Sequence, residues 1–447
     1  MGYTNNAMLI RRELIARLAH NIWNKNPEAI DRIPIEMAPK GSVPFRSSIH
    51  KDRAVMRYRL MALLGYDVAD ETDELKSLYQ YAIELEAKPE KPTHTLTVVD
   101  EACSSCHRVN YFVSNICRGC LARTCSYSCK KDAISFRDGQ ALIDPKTCVN
   151  CGLCQKECPF HAIVFVPIPC EESCPVGAIS QDERGIEQID HSLCISCGKC
   201  VTSCPFGAIM SRSQVVPLIH KLRNREAHTT AMVAPAIWGQ FKSSREQLLT
   251  GLKALGFDAV HEVATGAEEV VALESKELQE RLDEGAQYMT SSCCPAYVSL
   301  AEKHIPKLVP QISHTPSPMV VTARRAKQQN PDTHTIFIGP CIAKQQEALQ
   351  YSEIDHVINF EELGALFVAR GINLLKLSST ETDTHTASYG NWFAAQSGLT
   401  QAITHHLQGS DAFRPMVING INKANIRELK NIAAGRTEAN FVEVMAC

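Results

Sequence analysis

The sequence predicts an α+β and α/β multidomain protein: a helical N-terminal region, a cysteine-rich iron–sulfur region and a C-terminal α/β domain. Three observations predict it. The first 92 residues hold helical periodicity and no cysteine, sixteen cysteines crowd between Cys103 and Cys204, and strand–helix alternation with few cysteines begins after Ser211. A chain of 447 residues that is 45% hydrophobic and 21% charged has the composition of a globular protein of several domains. A net charge of −3 gives no electrostatic reason to expect nucleic acid or an anionic membrane as partner. No apolar stretch reaches membrane-spanning length and Met1–Asn6 does not open a signal peptide, so a cytoplasmic location is expected.

In the N-terminal region, 1–92, Leu14 and Leu18 lie one helical turn apart, and Ala54 to Leu64 repeats the spacing before Gly65 stops it. A third helix is expected over Asp73 to Ala87, and Lys88-Pro89-Glu90-Lys91-Pro92 reads as a linker. No chemistry is assigned here. The region is expected to pack on later domains, with His20 and Trp23 on a helix face or in the core.

Twenty cysteines in a secreted chain would suggest disulfides, but the spacing here is that of metal clusters, which need reduced thiols. Cys148-x2-Cys151-x2-Cys154-x3-Cys158-Pro159 and Cys194-x2-Cys197-x2-Cys200-x3-Cys204-Pro205 each match the bacterial ferredoxin run, in which three cysteines hold one 4Fe-4S cubane and the fourth holds the other. The expected sets are therefore Cys148, Cys151, Cys154 with Cys204, and Cys194, Cys197, Cys200 with Cys158. This makes 131–211 a ferredoxin-like domain. Between the runs, Cys170 and Cys174 repeat the end of a ferredoxin half. An Ala-Ile pair follows each x3-spaced pair, at Ala133-Ile134, Ala162-Ile163, Ala178-Ile179 and Ala208-Ile209. The isoleucines are expected to cover clusters in a dry sheath with few hydrogen bonds to sulfur.

The segment 93–130 is open to two readings. Cys103-x2-Cys106 and Cys117-x2-Cys120 have the paired spacing of a zinc ribbon. Alternatively, Cys117-x2-Cys120-x4-Cys125-x3-Cys129 begins another ferredoxin half. The Ala-Ile ending favours further cubanes, three or more in all, over zinc.

After Ser211, Thr230 to Ile237 reads as a buried strand running into a loop, Arg245 to Leu255 as a helix stopped by Gly256, and Thr335 to Ile338 as a strand delivering Cys341. Three loops in 212–447 each offer a soft ligand: Thr290-Ser291-Ser292-Cys293-Cys294-Pro295-Ala296-Tyr297, Gly339-Pro340-Cys341-Ile342-Ala343-Lys344-Gln345-Gln346-Glu347 and Phe441-Val442-Glu443-Val444-Met445-Ala446-Cys447. Adjacent Cys293 and Cys294 are poorly placed for a disulfide with each other, so two thiols with two tasks is the natural reading.

These three segments resemble, in order, the signature loops of the FeFe hydrogenases, in the form of the divergent group B branch. The resemblance implies a C-terminal α/β domain holding an H-cluster, a cubane bridged to a di-iron centre with CO, cyanide and a dithiolate. Cys294, Cys341 and Cys447 match cubane ligands, and Cys293 matches the thiol that passes protons to the open iron. A thiol suits that task because its proton affinity can be tuned towards neutrality. Glu274, Glu277 and Ser313 match a proton path reaching Cys293 through a water, although spacing alone reads the two glutamates as a solvated helix face. Lys344 matches a lysine that binds a cyanide ligand, while Pro235, Ala236, Met445 and Glu347 fall at positions lining the cofactor. Gly339 and Met319 depart from the common Met and Gln of the family. The resemblance also implies an external ferredoxin or similar electron carrier, protons and H2 as substrates, and maturation proteins for the di-iron centre.

The family's third loop carries a second cysteine four residues beyond the position of Cys447. The expectation is that the reading frame is a fragment that continues to that cysteine, or that the polypeptide lacks a conventional H-cluster. The rival function is a hydrogenase-like iron–sulfur protein in electron transfer, sensing or cluster assembly.

Overall fold

The computed structural model describes residues 5–87, 92–103, 106, 110–225, 227–378, 387–408 and 412–446. The expected linker residues Lys88–Lys91 lie outside them. In the N-terminal region the helices Asn6–Trp23, Ile49–Leu63 and Leu78–Ala87 bury Leu14, Leu18, Leu60 and Leu78, each at most 1% exposed. The helix Asn6–Trp23 packs on Phe360–Ala369 of the C-terminal half. Arg11 and Arg12 both pair with Glu361 there, Arg12 Nε at 2.8 Å from Oε1. His20 and Trp23 belong to this contact: His20 Nδ1 lies 3.1 Å from the Ala369 carbonyl, and the Arg370 guanidinium sits over the Trp23 ring. The region also grips the iron–sulfur part, since the buried Arg59 donates to the carbonyls of Phe206 (2.7 Å) and Gly207 (3.1 Å).

The cysteine-rich part is one small β unit inserted into another. The outer unit pairs β1 (Leu96–Val98) antiparallel with β8 (Ile209–Ser211), enclosing the hairpin of β6 (Ile179–Gln181) and β7 (Glu187–Ile189). Between β1 and β6 the inner unit repeats the plan: β2 (Tyr111–Val113) pairs antiparallel with β5 (Ile163–Phe165) around the hairpin of β3 (Ile134–Arg137) and β4 (Gln140–Ile143). Because β2 pairs with β5, the expected boundary between 93–130 and 131–211 cuts through a folded unit. The correction is long-range: a boundary drawn from composition could not register a pairing across fifty residues of intervening chain.

The C-terminal half contains two parallel sheets. One has the order β10-β9-β12-β13, from β9 (Thr229–Val233), β10 (Ala259–Glu262), β12 (His334–Gly339) and β13 (His356–Asn359). The other has the order β11-β15-β14, from β11 (Met289–Thr290), β14 (Pro415–Asn419) and β15 (Phe441–Met445). Parallel strands buried on both faces favour apolar centres, which Ala231–Val233 in β9 and Ile336–Ile338 in β12 supply. The helix Arg245–Leu255 ends at Gly256, whose φ of 111° is the left-handed cap that glycine adopts most cheaply. The strand expected from Thr230 spans Thr229–Val233, and the loop after it winds into a 3-10 turn at Pro235–Gly239.

Candidate iron–sulfur and active site

No disulfide joins any described cysteine. The sixteen thiols of the nested units face one another in four sets. One cavity of about 290 Å³ is lined by Cys129, Cys148, Cys151 and Cys154. Burial raises the Cys154 thiol to about 11, and Cys148, Cys129 and Cys151 push it further in the same direction. Cys125, raised by burial, lies among Cys158, Cys120 and Cys117. Cys200, also raised by burial, lies among Cys197, Cys194 and Cys174. Cys103 is raised by burial to about 11 with Cys204 and Cys106 nearby, and Cys170 lies beside Cys204 and Cys103.

Two expectations are corrected by this grouping. Cys204 does not join Cys148, Cys151 and Cys154, and Cys158 does not join Cys194, Cys197 and Cys200, because each run is paired with a half inside its own unit. A zinc ribbon of Cys103, Cys106, Cys117 and Cys120 is likewise not assembled, since its two halves belong to different units. The dry sheath is corrected in part: Ile134, Ile163, Ile179 and Ile209 are all buried, yet every x3-spaced terminal sulfur receives a backbone hydrogen bond. The N–H groups of Ala133, Ala162, Ala178 and Ala208 reach Cys129, Cys158, Cys174 and Cys204 Sγ at 3.3, 3.4, 3.2 and 3.4 Å. Donors aimed at sulfur suit thiolates bound to iron.

The set with Cys194 and Cys197 adjoins the C-terminal half. Lys303 Nζ donates to the Cys194 carbonyl at 2.6 Å, and Ile195 and Cys197 pack in the same core as Cys294 and Cys341. Gly198 lies under Ile342, the residue after Cys341.

Strand ends bring the three motif loops together. Cys294 starts the helix Pro295–His304 after β11, Cys341 follows β12, and the third loop leaves β15. Cys447 lies outside the described residues. Between the loops is a cavity of about 370 Å³ lined by Cys293, Cys294, Cys341, Lys344, Pro235, Ala236 and Met445 among others. Its donor set fits an iron–sulfur group: Cys294 Sγ accepts the Ala446 N–H at 3.4 Å, and the wall is otherwise largely apolar with one buried cation. Burial works against the charge of Lys344, but Glu347 outweighs it through an ion pair of 2.6 Å, so the ammonium is held more firmly than usual. Glu347 reaches the site through Lys344. Met319 and Phe337 also line the cavity. At Gly339 a side chain would meet the Phe337 ring, its nearest atom 2.4 Å from the added Cβ, so Phe337 takes the space that the family's usual Met would need.

A chain of polar groups runs from the surface to this cavity. In the helix Val263–Asp283 the buried stripe of Val270, Val271, Glu274 and Leu278 includes one carboxyl, and Glu274 is 0% exposed, not on a solvated face. Burial raises Glu274 to about 7, against the hydrogen bonds from Ser292 that favour its charged form. Glu277, one turn outward, is held below its usual value: burial opposes this, but the His314 N–H, Ser313 and Arg281 prevail. Ser313 Oγ donates to Glu277 Oε2 at 2.7 Å, and Glu274 Oε1 accepts from Ser292 N–H and Oγ at 3.3 and 3.4 Å. Cys293 follows Ser292, and burial first, then Glu274, pushes its thiol well above the ordinary range.

Two residues escaped the sequence reading. Ser292 hydrogen-bonds Glu274 beside the cysteine pair, and its position inside the first motif was the available signal. Glu443 is buried in β15, accepts the Thr400 N–H at 2.8 Å and also acts on Cys293. A lone acid within Phe441-Val442-Glu443-Val444-Met445 was the clue.

Residues 227–447 match the family described as iron only hydrogenase large subunit, C-terminal domain. These residues belong to the FeFe hydrogenase family. The 4Fe-4S binding domain matches 141–164 and 187–210. Iron hydrogenase 1 of Clostridium pasteurianum is 24% identical over 71% of this chain and 65% of its own length, so the chain spans less than two thirds of that relative. The periplasmic Fe hydrogenase large subunit of Nitratidesulfovibrio vulgaris is 27% identical over 68% of this chain and 83% of its own. The cytosolic Fe-S cluster assembly factor NAR1 of Kluyveromyces lactis is 34% identical over 92 residues, 20% of each chain. A solved FeFe-hydrogenase structure, HydA(deltaEFG), aligns with TM-score 0.43 and 25% identity over 53% of this chain and 82% of that one. Among the described residues no helix of this chain is long and apolar enough to cross a membrane.

Proposed function

We propose that this protein interconverts protons and H2 at an H-cluster, with electrons passed through its cubanes to and from an external ferredoxin or similar carrier. The observation that carries the reading is the pair of polar links Glu277–Ser313 and Glu274–Ser292, set beside Cys293 in the cavity wall. A scaffold for a cubane alone has no use for it.

Cys294 and Cys341 would hold the cubane together with Cys447. The di-iron centre, with its CO, cyanide and dithiolate ligands, supplies the redox site at which protons and H2 interconvert; maturation proteins would deliver it. Glu277 exchanges protons with solvent beside the exposed His314, whose N–H it accepts at 2.9 Å. Ser313 and Ser292, each able to donate and accept, pass a proton across Glu274 to the Cys293 sulfur. Glu274, at about 7, is poised to hold or release that proton near neutrality. Lys344 offers its ammonium to an anionic ligand, while Pro235, Ala236 and Met445 close the wall against water.

The test is to load the full-length protein with the di-iron centre and record infrared bands of bound CO and cyanide together with H2 formation. Bands with turnover are expected. Intact cubanes with neither bands nor H2 would overturn the proposal in favour of a second reading, an electron-transfer, sensory or cluster-assembly protein. That reading draws on the similarity to the assembly factor.

A further inference from the structure

We infer that the sixteen cysteines from Cys103 to Cys204 hold four cubanes, laid out as one two-cluster ferredoxin unit inserted into another, with ligand sets that cross between halves of the same unit. The inner unit places Cys117, Cys120 and Cys125 with Cys158, and Cys148, Cys151 and Cys154 with Cys129. The outer unit places Cys103, Cys106 and Cys170 with Cys204, and Cys194, Cys197 and Cys200 with Cys174. This goes beyond the matched 4Fe-4S segments, which contain only Cys148 to Cys158 and Cys194 to Cys204. It stands whether or not the protein makes H2.

Three independent features support it. The first is strand pairing: β2 with β5 and β1 with β8 close two separate units of the same plan, each around its own hairpin. A ligand exchange between the run at Cys148 and the run at Cys194 would have to cross from one unit to the other. The second is proximity of the thiols, read directly from the cavity that Cys129 shares with Cys148, Cys151 and Cys154. The third is a fourfold local geometry. Three residues beyond each terminal cysteine the backbone turns left-handed, at Asp132 (φ 50°), His161 (50°), Gly177 (68°) and Gly207 (58°). Aspartate and histidine pay a steric cost there that glycine does not, so the repeated turn points to a shared requirement. The turn aims the next residue's N–H, that of the alanine, back at the sulfur. Two of the four repeats thus belong to halves outside the matched 4Fe-4S segments, and both have the geometry of those inside them.

Ligand pairing is tested in the anaerobically reconstituted full-length protein by iron, acid-labile sulfide and the electron-spin count after reduction. Cys125→Ala and Cys158→Ala should each remove one cluster, and the double variant the same one. Cys125→Ala with Cys129→Ala should remove two. The outer unit should behave alike: Cys170→Ala with Cys204→Ala costs one cluster, Cys170→Ala with Cys174→Ala costs two. Joint loss of one cluster by Cys158→Ala with Cys194→Ala, or a zinc ion released by Cys103→Ala with Cys117→Ala, would overturn the inference. A second measurement needs no variant. During slow oxidative cluster loss from the unmodified protein, thiols becoming open to alkylation should appear in the four stated sets. Appearance in any other grouping would overturn the assignment even where a variant fails to fold.

Discussion

Replacing Ser313 with alanine severs the polar chain at its midpoint while leaving both carboxyls in place. The hydroxyl donates to Glu277 Oε2 at 2.7 Å and accepts the Thr315 N–H at 3.1 Å. A hydrogen bond to a charged group contributes about 1.5–3 kcal/mol, and an orphaned buried N–H costs roughly 1–3 kcal/mol. Glu277 keeps the Arg281, His314 and Thr315 donors, so the sum should fall at the low end, about 2 kcal/mol of stability. The kinetic effect should be larger. Loss of a positioned proton-transfer group costs on the order of 100- to 10,000-fold, and Ser313 makes the shorter hydroxyl bond to Glu277, 2.7 Å against 3.1 Å for Thr315. The assay is H2 evolution at pH 7 by Ser313→Ala and parent at equal iron content, with reduction of the cubanes by the carrier followed in parallel. Cubane reduction should be unchanged. Turnover by Ser313→Ala within about threefold of the parent, at unchanged pH dependence, would refute the relay, because a factor that small is below what such a group contributes.

Glu274→Gln tests the buried carboxyl through pH. The folded value of about 7 lies above the ordinary 4.5, so between these values the folded chain keeps a proton that the unfolded chain has lost; stability is fully present below about 4.5 and falls as pH rises through 7. Glu274→Gln should flatten that fall in urea titrations across pH 4.5 to 8, and an identical slope in both proteins would count against a raised Glu274. Gly198→Ala should cost about 1–2 kcal/mol from the left-handed φ of 76° and push the added Cβ to 2.8 Å from Ile342, slowing reduction of the catalytic cubane. Gly152→Ala, at φ 75° in the inner unit, is the control, and equal slowing by both would contradict the placing of Gly198 at the junction. Arg59→Leu removes the two hydrogen bonds to the Cys204 loop, worth about 1.5–3 kcal/mol each, and should lower the melting temperature and hasten iron loss from the Cys204 cluster; unchanged melting and iron release would show that the clamp is dispensable.

Local signals made much of this molecule legible. The helix Arg245–Leu255 and its glycine stop are written in consecutive residues, as are the ferredoxin runs and the three cysteine-bearing motif loops. What sequence could not supply is decided by distant partners. The third N-terminal helix begins at Leu78, not Asp73, because Asp31 accepts the N–H groups of Leu78 and Tyr79 at 2.8 and 3.3 Å and so sets its start from another element. The thiol sets follow from β2 meeting β5 across the inner hairpin, and a motif records only which cysteines lie close in the chain. Glu274 was readable as a path residue only through the family resemblance; its spacing with Glu277 looks like any solvated face, and burial came from the packing of its helix. Ser292 was hidden for the opposite reason. It lies beside the cysteine pair, and only the approach of the helix Val263–Asp283 gives its hydroxyl a carboxyl to meet.

The central claim is that Cys293 moves protons while Cys294, its neighbour, only holds the cubane. It is tested most directly by H2 evolution and infrared spectra of Cys293→Ser in the full-length protein carrying the di-iron centre, beside Cys294→Ser. The account predicts that Cys293→Ser keeps the CO and cyanide bands yet loses most turnover, since a hydroxyl gives up its proton far less readily than a thiol, whereas Cys294→Ser loses the cubane and with it the bands. Equal H2 evolution by Cys293→Ser and the parent at matched cluster content would contradict it.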